Sequence, residues 1–155
     1  MEPTTLFNIL ITILLIKFVL DTVLNHLNAK HFNDTPPDEV SDVYEIDEYQ
    51  KSQHYKKTNH NFNITSSLFS LIITLSFFFF NGFLIVDDIA REFSDNTIMI
   101  TLIFFGIISI GSDLISIPFS LYKTFVIEEE FGFNKTNKKT FFLDKLKGLL
   151  MTIFL

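Results

Sequence analysis

Apolar residues along this chain come in blocks rather than in alternation. The first block runs from about Leu6 to Leu24, the second from about Ile64 to Val86, and the third from about Thr97 to Ile117. A fourth opens near Phe141 and is still running at Leu155. A helix rises 1.5 Å per residue, so about 20 apolar residues cross a hydrocarbon layer of about 30 Å. Inside that layer the backbone must satisfy its own hydrogen bonds, which helices do within one segment. The pattern therefore predicts an all-α polytopic transmembrane fragment, with three full spans and the start of a fourth. From Phe141 only fifteen residues remain, three of them charged (Asp144, Lys145 and Lys147), so the fourth helix is expected to be cut short.

The segments between the blocks are polar and differ in character. Residues 25–63 form a long loop that Pro36-Pro37 divides, with a helix expected from about Asp38 to Lys57. Seven acids lead it, from Asp34 to Glu48, and Lys51, Lys56 and Lys57 follow nearer the second span. Charge-rich helices of this kind are usually solvated faces. A short acidic loop, Asp87–Asn96, separates the second and third spans and carries Arg91 as its one cation. The third span is expected to stop at Pro118, which opens a second large loop over 118–140. Gly106, Ser109 and Gly111 in that span would let another helix approach closely.

Lysine and arginine orient the spans. Lys30, Lys51, Lys56 and Lys57 fall in the first large loop, and Lys123, Lys135, Lys138, Lys139, Lys145 and Lys147 follow the third span. Positive charge marks cytoplasmic segments. The two large loops are therefore expected inside, and the N-terminus and Asp87–Asn96 outside. The N-terminal block is expected to be a retained helix, because Met1–Thr5 has no positive charge and no small-residue cleavage site follows. The sequons at Asn33, Asn63 and Asn134 lie on or beside the inside segments, so no glycan is expected there.

Composition sharpens this picture and removes some functions. The chain is 48% apolar with 20 Phe and a formal net charge of −6. An acidic balance argues against a nucleic-acid partner, which needs a basic surface; the expected partner is the lipid bilayer. Cysteine is absent, so disulfides, thiolate metal sites and Cys nucleophiles are excluded. Abundant Asn, Ile, Lys and Phe suit an AT-rich bacterial genome and hence a bacterial inner membrane, with the endoplasmic reticulum as the eukaryotic counterpart.

Candidate chemistry is sparse. Lys17 and Asp21 share a helix face in the first span, and Asp113 lies in the third. Ionisable groups in a span usually face a bundle interior or a water-filled cavity. Against this, Lys17 can snorkel to the headgroups and Asp21 and Asp113 can sit close to an interface. A zinc peptidase site needs two His one helical turn apart with a Glu beside the first. His26, His31, His54 and His60 meet neither condition, so neither a catalytic residue nor a metal ligand is assigned in this chain. Glu128, Glu129 and Glu130 are consecutive, and consecutive helical residues point about 100° apart, so they do not converge on one ion.

The most ordered string is Pro118–Asp144, PFSLYKTFVIEEEFGFNKTNKKTFFLD, in which three carboxylates lead into Phe131-Gly132-Phe133-Asn134 and a basic stretch. It resembles the segment after the third membrane helix in the type 1 CAAX prenyl protease family of membrane zinc metallopeptidases. Tyr49–Lys57, YQKSQHYKK, resembles that family's first large loop. With the span spacing, the resemblance covers essentially the whole chain but only the family's N-terminal part. It implies that zinc is the cofactor of the full-length protein and that HExxH and a further Glu ligand lie downstream. It also implies a catalytic domain that follows this region and is a partner for it. On this reading the chain builds the wall of a membrane chamber and scaffolds that domain, without catalysis of its own. Glu128, Glu129, Phe131, Gly132, Phe133 and Asn134 are the candidate docking or structural residues. Gly132 would set a helix end or turn, and Glu130 departs from the family, which usually has a basic residue there. The alternative is a small non-enzymatic integral membrane protein, such as a transporter subunit, an assembly factor or a truncated pseudo-protease.

Overall fold

The computed structural model describes residues 2–30, 32 and 46–154, and among these every regular element is helical. The chain forms two compact units, Met1–Leu75 and Ser76–Leu155, which are taken in turn.

In the first unit, α1 spans Pro3–Ala29. Pro3 stands at its start, where the missing N–H costs nothing and the fixed φ suits the helix. Helix α2 starts at Ile46 and runs without interruption into the second apolar block, ending at Phe79 in the second unit. No Gly or Pro stands between Lys57 and Ile64, so nothing separates the charged helix from the span. The expected helix from Asp38 to Lys57 is thus helical from Ile46 on, and its first part lies outside the described residues. Phe32 lays its ring edge-on to His60, with centroids 5.8 Å apart.

The second unit departs from expectation at three places. The helix that was expected to reach Val86 ends at Phe79, and α3 (Gly82–Phe93) follows after a tight turn. Asn81 adopts the left-handed region at φ 56°, which Asn tolerates better than most residues. Gly82 is required next to it: a Cβ there would lie 2.6 Å from Phe77 Cδ1 and 3.0 Å from Phe77 Cα. The ring of Phe83 closes the turn, edge-on to Phe77 and Phe78 at 5.6 and 5.1 Å. Second, most of the expected Asp87–Asn96 loop is helical, since α3 continues to Phe93. Asn96 then caps α4 (Thr97–Tyr122), its Oδ1 accepting from Ile98 N and Met99 N at 2.9 and 3.3 Å.

Third, Pro118 does not end the helix. Helix α4 passes through it, a π-helical turn occupies Lys123–Ile127, and the three-residue α5 (Glu128–Glu130) completes a helical stretch of 34 residues, Thr97–Glu130. Proline inside a membrane helix is accommodated by local changes in the hydrogen-bond ladder, and the Glu128 N–H reaches back five residues to the Lys123 carbonyl. Helix α6 spans Lys138–Phe154 and starts three residues before the expected Phe141. Asn137 accounts for that, because its Oδ1 accepts from Thr140 N at 2.8 Å in a cap the apolar pattern does not reveal.

Few side chains are buried: Val86, Ala90, Ile127 and Phe131 are the buried hydrophobic residues of the described chain. Three helices, Pro3–Ala29, Asp47–Phe79 and Thr97–Glu130, are long and apolar enough to cross a membrane, and none of their apolar windows is buried. Leu6, Ile13, Ile16, Leu20 and Leu24 on α1, and Ile98, Leu102 and Phe105 on α4, all stand exposed. A water-soluble chain would bury such surface; a hydrocarbon solvent leaves it favourable.

Candidate functional site

The junction between α5 and α6 is built by its glycine. Gly132 has φ +78°, a conformation that is easy only without a Cβ. Two backbone bonds close the helix end around it. Gly132 N donates to the Glu129 carbonyl at 3.0 Å, and Phe133 N donates to the Glu128 carbonyl at 2.8 Å. These are the 5→2 and 6→1 bonds of a Schellman termination. Asn134 N also donates to the Glu128 carbonyl, at 3.1 Å. Two of the carbonyls that a helix end leaves unpaired, those of Glu128 and Glu129, are thereby satisfied by the backbone itself.

Side chains then fix the exit. Asn134 Nδ2 donates to Glu129 Oε2 at 2.7 Å, and Asn134 Oδ1 accepts from Thr136 N at 2.7 Å. Ile127 and Phe131, four residues apart, are buried on one side of the turn, while Phe133 is exposed. Phe125 in the π turn meets Phe141 at the start of α6, with ring centroids 5.7 Å apart. The junction is therefore an ordered reversal, with an apolar underside and a carboxylate-bearing outer surface.

A cleft of about 530 Å³ lies between this stretch and α6, lined by Asp113, Thr124, Glu128, Thr136, Phe141, Asp144, Lys145, Gly148 and Leu149. Sequence reasoning treated Asp113 and Glu128 separately; the structure brings both to one cleft. They are fifteen residues apart along the helical stretch, or roughly 22 Å at the α-helical rise. The cleft is thus an elongated groove and not a point site. Thr124, Thr136, Asp144 and Lys145 were missed. Their signal would have been the helix continuing past Pro118, which puts Thr124 and Glu128 on adjacent turns facing α6.

In the first unit, Lys17 Nζ pairs with Asp21 Oδ2 at 2.7 Å. Both line a groove of about 220 Å³ whose other wall includes Ser67, Ser70 and Thr74 of α2. Paired in this way, opposite charges offset one another, which would lower the cost of placing both groups at membrane depth. Outside the spans, Arg91 pairs with Asp87 at 2.7 Å. The hydrogen bond and charge of Asp87 hold the Arg91 guanidinium above its ordinary value.

A helical membrane region with an ordered, carboxylate-bearing junction defines the class, and comparison with known proteins supplies the family. Residues 25–155 match the family model described as CAAX prenyl protease N-terminal, five membrane helices. The chain belongs to that family. It is 31% identical over 156 residues to the probable CAAX prenyl protease 1 of Schizosaccharomyces pombe, covering 88% of this chain and 33% of that protein. The Caenorhabditis elegans CAAX prenyl protease 1 homolog is 28% identical over 153 residues, covering 97% of this chain and 34% of the relative. The crystal structure of S. mikatae Ste24p superposes with a TM-score of 0.87 at 27% identity, over 97% of this chain and 36% of that one. The chain spans about a third of the length of the relatives it matches.

The zinc that characterises this family finds no fit in the residues described. Among them, no three His, Cys, Asp or Glu side chains gather as a metal would require. His26 lies on α1 and His54 and His60 on α2, and His31 is outside the described residues. No zinc chemistry is therefore assigned to this chain's own side chains.

Proposed function

We propose that this chain is the membrane-embedded wall and docking scaffold of a CAAX prenyl protease-like zinc endopeptidase, and that it does not catalyse by itself. The observation that carries the reading is the ordered reversal at Gly132, since a simple tether between two spans needs only a few flexible residues. The reversal instead presents Glu128 and Glu129 at the end of a helix 34 residues long. Charge-assisted hydrogen bonds from such carboxylates would hold a downstream domain that carries the zinc, with Phe133 as an apolar contact beside them. The lysine distribution supports an orientation with the N-terminus outside and the junction in the cytoplasm. The names of the relatives support prenylated CAAX peptides as the substrate of the whole protein. Their eukaryotic origin favours the endoplasmic reticulum over a bacterial membrane. In this scheme the Lys17–Asp21 pair on α1 and, separately, Asp113 on α4 each face water.

The test is a chimera in which this chain replaces the matching third of the S. pombe relative. Cleavage of a prenylated CAAX peptide by membranes carrying the chimera is the expected result, with none by this chain alone. A chimera that inserts and retains zinc yet cleaves nothing would favour the non-enzymatic alternative.

A further inference from the structure

Helix α3 plays no part in the reading above, yet its surface is strongly sided. At 100° per residue, Phe83, Ile85, Val86, Ile89, Ala90 and Phe93 fall in one arc, and Asp87, Asp88, Arg91 and Glu92 in the other, where exposed Leu84 is the one apolar residue among them. Val86 and Ala90 are buried where α3 packs on α4. Ile85, Ile89 and Phe93, spaced four residues apart, remain as an exposed apolar flank, with Phe93 73% exposed.

Three observations say what covers this flank. First, it is continuous with membrane-spanning surface. Exposed Phe79 and Phe80 precede it at the end of α2, and exposed Ile98, Met99 and Leu102 follow it at the start of α4. Second, the apolar part of α2 from Ile64 to Phe79 has sixteen residues. At the α-helical rise that is roughly 24 Å, short of the ~30 Å hydrocarbon layer. The turn at Asn81 is therefore not carried beyond the acyl boundary. Third, the turn is rigid. Asn81 is left-handed, Phe77 leaves no room for a Cβ at Gly82, and Phe83 packs on Phe77 and Phe78, so α3 starts directly on the end of the span.

We propose that α3 is an in-plane interfacial helix, with Ile85, Ile89 and Phe93 in the acyl layer and Asp87, Asp88, Arg91 and Glu92 among the headgroups. Amphipathic helices that lie on membranes usually carry a basic polar face that attracts anionic lipid. Here three carboxylates face one guanidinium, a net of −2. Apolar burial alone must hold the helix, and the surface it fits is zwitterionic. The inference rests on the membrane placement of the chain and is independent of the peptidase reading.

The chain has neither Cys nor Trp, which makes the test direct. The full chain, reconstituted in phosphatidylcholine nanodiscs, would carry a nitroxide at Ile89→Cys, Phe93→Cys, Asp88→Cys or Glu92→Cys. Collisions with oxygen should exceed those with a water-soluble nickel chelate several-fold at 89 and 93, and the order should reverse at 88 and 92. Adding phosphatidylglycerol should leave the pattern unchanged. High nickel access at 89 and 93 would mean that the flank faces water, and low access to both reagents would mean that protein covers it; either overturns the proposal. Phe93→Trp gives an independent reading should a labelled variant fail to fold. Quenching by brominated acyl chains is expected, and quenching by aqueous iodide alone would overturn the proposal.

Discussion

Replacing Gly132 separates backbone conformation from space. At φ +78° a side chain is strained, while a Cβ built at this position meets nothing within 4 Å. The whole cost of Gly132→Ala is then conformational, about 1–2 kcal/mol for an L-residue in the left-handed region. For a chain of this size each kcal/mol shifts the melting midpoint by roughly 2–4 °C, so Ala should lower it by about 2–8 °C. Gly132→Asn should fall between Gly and Ala, because Asn visits this region more readily, and Gly132→Val should be worst because β-branching fits it poorly. Gly111→Ala is the control. It is helical and equally open, and should not lower the midpoint. The assay is thermal unfolding of the detergent-solubilised chain, followed by circular dichroism. Ala at the wild-type midpoint, or Asn as damaging as Val, would refute the conformational argument.

Three further outcomes follow from the same geometry. Single cysteines at Ser52 and Ser94 should label from opposite faces of sealed endoplasmic-reticulum vesicles, Ser52 directly with an impermeant maleimide and Ser94 only after permeabilisation; labelling of both in sealed vesicles would contradict the orientation. The purified chain, dialysed without chelator, should hold far less than one zinc per chain by elemental analysis, and stoichiometric retention would mean that its His residues ligate after all. Gly82→Ala should destabilise by about 1–3 kcal/mol through overpacking against Phe77, a loss that Phe77→Leu should partly relieve; an unchanged melting midpoint would show that the turn is loose.

The all-α class and the membrane helices were legible in the sequence because a block of 20 apolar residues has few other solutions. Boundaries were legible only where a local signal was given its full weight. Asn81-Gly82 is a strong turn signal, but it sits inside an apolar run, and hydropathy summed across it joins α2 to α3. Pro118 misled in the other direction. A proline ends most soluble helices, whereas at membrane depth an exposed break would cost more than a locally altered ladder, and the helix continues to Glu130. At the junction, Gly132 was readable as a helix end because only glycine takes its conformation freely. The groove joining Asp113, Thr124 and Glu128 to Asp144 and Lys145 was not readable, because it depends on where the turn at Gly132 places α6, with Phe141 meeting Phe125 sixteen residues earlier. The Asn134–Glu129 bond was hidden for a similar reason, since the left-handed residue between them turns the chain back on itself.

The most direct test of the scaffold reading is peptidase activity of the S. pombe chimera carrying Glu129→Ala, normalised to its level in the membrane. Loss of a charge-assisted bond to a downstream domain should cost about 1–3 kcal/mol, a fall of roughly 5- to 150-fold in activity. The isolated chain should meanwhile insert as before, since its apolar spans drive insertion. Activity and stability at wild-type values in the Glu129→Ala chimera would mean that the junction is only a tether, and the docking role would be wrong.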